Sequence, residues 1–579
     1  MIISALNEYY ERLAKDPKVE IPEYGFSQQK IAFEIVISKD GKRCEIADAR
    51  IQSGKNMRPR LVVVPGGAKP PGAGINPCFL WDNSAYMLGY KPEDSNEKRT
   101  AESFEAFKDK HLQLEDEIKD THFSLVCKFL TKYKFSKKIQ SAIDDVGSGF
   151  GLFRIEGARQ HVHQRPKVRT WWQNQIGQSP DKVEMGQCLA TGKNKTPLAR
   201  IHEPKIKGVA GAQSAGAAIV SFNFDSAESY GKEQGSNAPV SQLAAFQYSS
   251  ALNHLLNSGQ RLRIGDATTV FWADKPSPFE DWLGNIIDTN NAEDESTKKK
   301  LNSILQTIAK GGFPTELGQS TTGFNVLGLS PNAARISIRF WMRSTLGQLV
   351  ENLGRHFRDL EIVHTEHDNP FPALWQLLSE TARESKDISP QLSGDLMRSV
   401  LRGDQYPQTF LSAVLRRIKA DREIYHRRAA IVKAFLNRNF RIHQPNRKEI
   451  SVALDTERPE AAYHLGRLFA QLEKAQEDAF TNEQGKVTIN KTIKDNFFGA
   501  ASASPLSVFP RIVRMSQHHL GKLEKKSRVY HEKRIGALYS MFDKYPAHLN
   551  LHDQGLFAIG YYHQRQDIFT TKKNKVEES

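Results

Sequence analysis

The spacing of apolar residues along the chain changes from a mixed pattern to a helical one. Apolar positions recur at helical spacing over residues 1–15, which predicts a short helix that ends before Pro17. Branched residues concentrate at 31–37 and 61–64 between Gly, Pro and Asp, which predicts two strands. Residues 95–146 are charged and mostly helical in their pattern.

Further strands are predicted at 150–155, 218–224, 268–272 and 334–341, with glycine-rich turns between them. From about residue 342 the pattern is helical almost to the end, as at 461–480 and 556–569. The fold class expected is therefore α+β: a mixed α/β N-terminal region followed by a helical region and a C-terminal helical bundle.

The length of 579 residues suggests about three to four domains. We predict an α/β domain over 1–280, a mixed and then basic helical region over 281–450, and the bundle over 451–579. Residues 291–300 are a charge cluster, which we interpret as a solvated linker.

Composition adds a strong and uneven positive charge. Lys and Arg number 81 against 66 Asp and Glu, a net charge of +15. Residues 401–450 alone hold twelve basic and four acidic side chains, so over half of the excess lies there. Such a surplus favours a polyanion, either nucleic acid or an anionic membrane surface.

A long helix is predicted over 411–439, with basic side chains on much of its circumference. We expect it to contact a nucleic-acid backbone because Asp421 and Glu423 are too few to neutralise it; the alternative is a solvated helix with internal ion pairs. The predicted contacts are Arg416, Arg417, Lys419, Arg427 and Arg428.

Several protein classes are excluded. No apolar run approaches the ~18–20 residues that span a bilayer, and the first residues lack the features of a secretory signal. The four cysteines are far apart and form no CxxC pair, which argues against a disulfide framework or a cysteine-rich zinc site. We expect a cytoplasmic protein without membrane contact.

Two polar, glycine-rich stretches are candidate binding loops. In the first, a predicted strand delivers Gly66, Gly67 and Lys69 to a turn that continues to Asn76, where glycine lets backbone N–H groups approach a ligand and lysine adds charge. The alternative is an ordinary surface turn. The stretch is not a P-loop, because no Gly-Lys-Ser/Thr follows.

The second stretch runs from 205 to 237. Small glycine-rich segments here carry amide, hydroxyl and lysine side chains suited to reading base edges; the alternative is a set of tight turns in a mixed sheet. The candidates are Lys205, Lys207, Gln213, Ser214, Asn223 and Lys232.

The run from 159 to 172 alternates cations and ends in two tryptophans. As a strand it would place His161, His163 and Arg165 on one face, which suits a phosphate backbone with a stacked base. A metal site formed by the two histidines is a more specific alternative, but no third ligand is close in sequence. We predict no metal and no cofactor, and no catalytic motif such as Walker A, HExxH or GxSxG is present.

Taken together, several blocks resemble the large subunit of the subtype I-C CRISPR surveillance complex, Cascade, of the Csd-type family. The resemblance runs essentially end to end, and its most specific block begins Ile206-Lys-Gly-Val-Ala-Gly-Ala-Gln-Ser-Ala-Gly. Other blocks lie at 64–83, 269–273, 329–335, 465–477, 507–521 and 555–566.

The resemblance implies a non-catalytic subunit. The guide RNA would read sequence by base pairing, while this chain recognises the protospacer-adjacent motif in double-stranded DNA, promotes R-loop formation and helps to recruit the helicase–nuclease. Related large subunits use a glycine loop, a lysine and an amide-bearing wedge in the minor groove. By analogy, Gly66, Gly67, Lys69, Asn76, Gln213, Ser214 and Asn223 would read the motif or act as the wedge. Which loop does which stays open.

The same resemblance implies further partners: the guide RNA, the backbone subunits, the subunit at the guide 5′ end, and a small subunit made separately by internal initiation. The region after about residue 450 resembles that small subunit, and Val452 is a conceivable start. Two alternatives remain: a metal-dependent nuclease that uses His161, His163 and nearby carboxylates, and a general RNA-binding scaffold.

Overall fold

The computed structural model describes residues 1–53, 56–69, 74–147, 149–176, 183–264, 267–287 and 295–577. The chain forms two compact units. The first contains Met1–Gly208, Ala212–Asn257 and Ala333–Ile336, and the second contains Val209–Gly211, Ser258–Asn332 and Ser337–Ser579. The predicted boundaries at 280 and 450 remain a sequence-based division.

The first unit begins with a helix and then alternates short strands with helices. Its elements are α1 (Ile2–Lys15), β1 (Phe26–Ile37), β2 (Cys44–Asp48), β3 (Ile51–Ser53), β4 (Asn56–Arg58), β5 (Arg60–Pro65), β6 (Trp81–Asn83), α2 (Ser84–Leu88), α3 (Glu97–Gln113), α4 (Glu115–Ile118), α5 (Thr121–Lys132), α6 (Lys137–Val146), β7 (Phe150–Ile155), α7 (Pro166–Gln175), β8 (Met185–Gly186), β9 (Thr196–Pro197) and α8 (Gln242–Asn257).

Strand β1 is the centre of the main sheet. It pairs antiparallel with β2 and β5 and parallel with β7, and β6 completes the other edge. The side chains of Phe33, Ile35 and Ile37 are buried against the helices that follow β6, where Phe107 and Phe123 complete an aromatic core. The buried side chains of β1 hold one face of the sheet against these helices. Because β5 pairs with β1 up to Pro65, the loop after β5 begins at the end of this covered sheet.

The second unit opens with a sheet and continues as helices. Its elements are β10 (Arg261–Ile264), β11 (Ala267–Ala273), α9 (Phe279–Ile287), α10 (Glu295–Ala309), β12 (Gly323–Asn332), β13 (Arg335–Thr345), α11 (Leu346–Leu360), α12 (Leu374–Ser379), α13 (Pro390–Arg402), α14 (Gln408–Asp421), α15 (His426–His443), α16 (Ala461–Ala479), α17 (Ile493–Ala501), α18 (Pro505–Gly521), α19 (Lys525–Tyr539) and α20 (Leu551–Glu577). The first residues of β13 belong to the first unit. This arrangement confirms the predicted α+β class.

Helix α16 is the central element of the second unit. Every residue from Ala462 to Ala475 is buried, and α20 crosses it at very short range. A Cβ added to Gly466 would lie 2.0 Å from the carbonyl oxygen of Phe557, and one added to Gly560 would lie 2.0 Å from that of Tyr463. The two glycines therefore let the backbones touch where any side chain would separate them.

Most predicted elements are confirmed, including the first helix, the strands around 31–37, 61–64, 150–155, 268–272 and 334–341, and the helices after 342. The strand predicted at 218–224 is wrong: only Ala218 forms a bridge, to Arg335. The helix predicted over 411–439 is two helices, because Arg422 adopts the left-handed conformation (φ 59°) and ends α14. The linker predicted at 291–300 falls partly outside the described residues, and 295–300 are the first residues of α10.

None of the helices in the described ranges is both long and apolar enough to cross a bilayer.

The helix crossing predicts a strong asymmetry between glycine substitutions. Gly466→Ala should lower the free energy of unfolding by about 1–3 kcal/mol, because the new methyl group overlaps a backbone carbonyl that cannot rotate away. Gly536→Ala, at an open position of α19 with nothing within 4 Å of the added Cβ, should instead raise it by roughly 0.4–1 kcal/mol. Urea unfolding monitored by circular dichroism measures both. Equal effects would show that the crossing is not close-packed.

Acidification should destabilise both units. Burial lowers the pKa of His111, His163, His356 and His563 to about 3 from the ordinary 6.5. Between these values the unfolded chain binds more protons, so the free energy of unfolding should fall as the pH drops from about 6.5 towards 3. Urea titrations at pH 8, 6.5 and 5 test this. His163→Gln should flatten the dependence, and a stability independent of pH across this window would contradict the account.

Candidate nucleic-acid interface

The glycine loop of the first unit leaves the sheet at the end of β5. Gly66 takes a left-handed conformation (φ 89°), and its N–H donates to the Gly25 carbonyl oxygen at 2.8 Å. A Cβ at Gly66 would lie 3.6 Å from the Trp172 ring, whereas Gly67 is exposed with open space around it. The backbone at Gly67 is thus accessible to a ligand. Residues 70–73 lie outside the described part of the chain.

Lys69 is not a free cation in this loop. Its Nζ donates to both carboxylate oxygens of Asp82, at 2.6 and 2.5 Å, and Asp82 is fully buried. The same ammonium lies 3.4 Å from the centre of the Tyr86 ring and donates to the Asn76 carbonyl oxygen at 3.2 Å. Lys69 and Asn76 therefore meet in the folded loop, where the lysine acts as a tether that fixes both ends of the loop.

The second candidate loop is closed by a pair of backbone hydrogen bonds between Ile206 and Ala217. Asn253 of α8 fixes the segment that enters this loop, since its side chain accepts from the Lys207 N–H at 2.8 Å and donates to the Lys205 carbonyl oxygen at 3.0 Å. Four of the residues predicted to bind DNA lie on this loop or at its start, and all four are exposed: Lys205, Lys207, Gln213 and Ser214.

Arg335 joins this group and was not a sequence candidate. Its backbone pairs with Ala218, and its guanidinium donates to the side-chain oxygen of Asn223 and lies 4.9 Å from the centre of the Phe224 ring. The sequence offers no local signal for this contact, because 112 residues separate Asn223 from Arg335. We call Lys205, Lys207, Gln213, Ser214, Asn223 and Arg335 the polar loop cluster.

Lys232 is also exposed, at the end of a tight turn that begins at Ser229. It stands on the same segment of the first unit as Asn223 and Phe224.

The basic helices of the second unit differ most from the sequence interpretation. Arg417 donates to both oxygens of Asp421 at 2.6 Å, and the buried Arg428 binds Asp421 and Glu380. Arg427 also binds Glu380, at 2.9 Å. Lys419 donates to Gln554 at 2.7 Å. Four of the five side chains predicted to contact a nucleic-acid backbone therefore bond to partners within the protein. Arg416 is exposed.

Carboxylates outside α14 and α15 pair with three further arginines of this basic segment. Arg438 and Arg441 both bind Asp359, with Arg438 and Asp359 themselves buried. Arg441 also binds Glu449, and Arg447 binds Glu460 at 2.9 Å. Asp421 and Glu423 alone are too few, but these arginines are not left unpaired, because Asp359, Glu380 and Glu460 supply carboxylates from outside the two helices.

The histidine run does not form a strand. Pro166 begins α7, and a 3₁₀ turn at Val162–Gln164 precedes it. The buried His161 bonds to Glu34 of β1 at 2.9 Å, and the buried His163 bonds to the Val63 carbonyl oxygen at 3.0 Å. The His161 contact is the main cause of a Glu34 pKa lowered to about 2. In the described ranges no three His, Cys, Asp or Glu side chains group closely enough to hold a metal ion.

The Lys69 tether predicts a stability effect. Lys69→Ala should lower the free energy of unfolding by roughly 1–3 kcal/mol, because it leaves the buried Asp82 carboxylate without its cation. Adding Asp82→Asn should recover part of that loss. Lys138→Ala, whose side chain is 87% exposed, is the control and should change little. Urea unfolding is the measurement, and a Lys69→Ala protein as stable as the parent would show that the lysine is free to leave Asp82.

No curated protein matches the chain in sequence. One family does match, described as the CRISPR-associated protein Cas_Csd1, over residues 6–569. The match covers nearly the whole length, including the glycine loop, the polar loop cluster and the close-packed helices. The chain therefore belongs to the Cas_Csd1 family of CRISPR-associated proteins.

Proposed function

We propose that this chain is the non-catalytic large subunit of a type I-C CRISPR RNA-guided complex. It recognises the protospacer-adjacent motif in double-stranded DNA, promotes opening of the duplex into an R-loop, and helps to recruit the helicase–nuclease. Its other partners are the guide RNA, the backbone subunits, the subunit at the guide 5′ end and a separately made small subunit. It acts in the cytoplasm.

The observation that carries this proposal is the polar loop cluster. Two exposed lysines and the exposed Gln213 and Ser214 share one loop whose base is held by backbone pairing and by Asn253. Lysines neutralise phosphates without reading sequence, whereas an amide side chain can donate to and accept from base edges in a groove. A loop held at its base presents both kinds of group without a large ordering cost.

The glycine loop supports the same proposal in a different way. Gly67 exposes backbone without a side chain, and Asn76, whose carbonyl oxygen accepts from Lys69, is also exposed. Close backbone approach and an amide suit the narrow minor groove, where a side chain at Gly67 would collide.

Most basic side chains of α14 and α15 that were candidates for DNA contact already have partners within the protein, so we propose a smaller part in DNA binding for these two helices. Arg416 is available to a phosphate as it stands, whereas Arg417, Lys419, Arg427 and Arg428 would each have to exchange an internal partner. We therefore place the main phosphate contacts at Lys205, Lys207 and Lys232 and keep the helix residues as secondary contacts.

The proposed small subunit corresponds to the region after about residue 450. In the full chain that region shares one core with the helices before it: the tilted rings of Phe435 and His552 lie 5.8 Å apart, and the Val363 N–H donates to the Val452 carbonyl oxygen at 2.9 Å. A separate copy would expose this face and would need another protein subunit to cover it.

Removing two charges from the polar loop cluster tests the proposal. In the assembled guide-loaded complex, Lys205→Gln with Lys207→Gln should weaken binding to duplex target, and the slope of log K against log salt should become shallower by about two. Lys525→Gln with Lys526→Gln removes the same charge from exposed positions of α19 and should leave the slope unchanged. Filter binding or fluorescence anisotropy over a salt series measures both.

Three results would contradict the proposal. An unchanged slope in the Lys205/Lys207 variant would remove the loop from the DNA contact. Equal affinity for targets with and without the flanking motif would favour a general RNA-binding scaffold. Cleavage of DNA by the pure chain with Mg²⁺ or Mn²⁺, lost in His163→Ala, would favour a nuclease.

A further inference from the structure

A tight turn in the first unit presents one aromatic side chain to solvent. The Lys232 N–H donates to the Ser229 carbonyl oxygen at 3.0 Å, which closes a four-residue turn. Both central residues are left-handed, Tyr230 with φ 55° and Gly231 with φ 68°. Positive φ at both positions defines a type I′ turn.

Asn237 fixes this turn from the side. Its side-chain oxygen accepts from the Ser229 N–H at 3.0 Å, and its side-chain nitrogen donates to the carbonyl oxygens of Lys232 at 2.8 Å and Gln234 at 3.1 Å. One amide therefore binds both arms of the turn. The backbone under Tyr230 is held in place even though the turn lies on the surface.

Neither the turn nor the packing accounts for a tyrosine here. The first central position of a type I′ turn favours Asn, Asp or Gly, and a bulky side chain in the left-handed region is costly. Packing offers no compensation, since Tyr230 is 98% exposed. A large, almost fully exposed ring at a position that disfavours it indicates a contact with another molecule.

The surroundings of the ring favour a planar ligand. The adjacent residues Ser229, Lys232, Glu233 and Gln234 are polar, so the turn offers no apolar patch of the kind that surrounds an anchor residue in a protein interface. A nucleic-acid base needs only the face of an aromatic ring. Phe224, also exposed, has the Arg335 guanidinium over its ring, so Tyr230 is the better platform.

We propose that the Tyr230 ring stacks on a base that becomes unpaired when the duplex opens beside the protospacer-adjacent motif, with Lys232 contacting the neighbouring phosphate. This inference rests on the proposed function and names a residue that holds the opened end. The turn presents the ring already positioned, so stacking orders little of the protein.

The test compares Tyr230→Asn with Tyr230→Phe and Tyr230→Trp in the assembled complex. Asparagine followed by Gly231 suits a type I′ turn, so the Asn variant should fold with an equal or higher melting temperature while losing the ring. The probe is duplex target with 2-aminopurine at the third base pair after the motif, beyond the base proposed to stack on Tyr230, and its fluorescence rises when the duplex opens and the probe unstacks. The Asn variant should open target about tenfold or more less efficiently, whereas Phe and Trp should retain opening.

The controls separate this inference from the function on which it rests. A parent complex that shows no motif-dependent opening refutes the proposed function and the inference with it. A parent that opens DNA, with a Tyr230→Asn variant that opens it equally well, refutes the stacking role alone. If Tyr230→Phe lost duplex opening as completely as Tyr230→Asn, the tyrosine hydroxyl and not the ring would be responsible for opening. Loss of subunit assembly in Asn would assign the ring to a protein contact. Either result overturns the proposal.

Discussion

The second unit depends on the backbone contact between α16 and α20. Helices normally pack with side chains between them at 8–10 Å, and only glycine at the crossing lets the main chains touch. Because α16 is enclosed from Ala462 to Ala475, its polar residues there must find partners inside: Glu473 accepts from the Tyr561 hydroxyl at 2.6 Å. Glu477, in the partly buried last turn, binds Arg565 of the same neighbouring helix. The short crossing brings those partners within reach. A wider crossing would leave buried charges unpaired, which costs more than lost packing.

The distribution of positive charge shows what a sequence count omits. A helix read alone has two acidic residues among many basic ones, yet Asp359 comes from α11 and Glu380 from the turn after α12, dozens of residues earlier in the chain. Charge pairing in a folded chain depends on tertiary neighbours, and these are not encoded by local spacing. Exposed cations remain on loops of the first unit, as at Lys205, Lys207 and Lys232, and at single helix positions such as Arg416.

Local patterns predicted the elements whose stabilisation is local. The strand Phe150–Ile155 and the helix Ala461–Ala479 were predicted almost to the residue, because their apolar periods match the faces they bury. The run around His161 was misread because Pro166 is also a favourable first residue of a helix. The polar loops were identifiable by composition. Arg335 was not, because its contact with Asn223 joins sequence-distant segments, and Tyr230 was missed because its backbone conformation has no compositional mark.

The interleaved course of the chain has a consequence for biosynthesis. The first unit includes Ala333–Ile336, although its other residues end at Asn257. A nascent chain at Asn257 therefore lacks the segment that supplies Arg335, and roughly 80 more residues must be translated first, on the order of 4–16 s at bacterial or eukaryotic elongation rates. During that interval Asn223 has no guanidinium beside it. The polar loop cluster is thus completed only after most of the sheet of the second unit has left the ribosome.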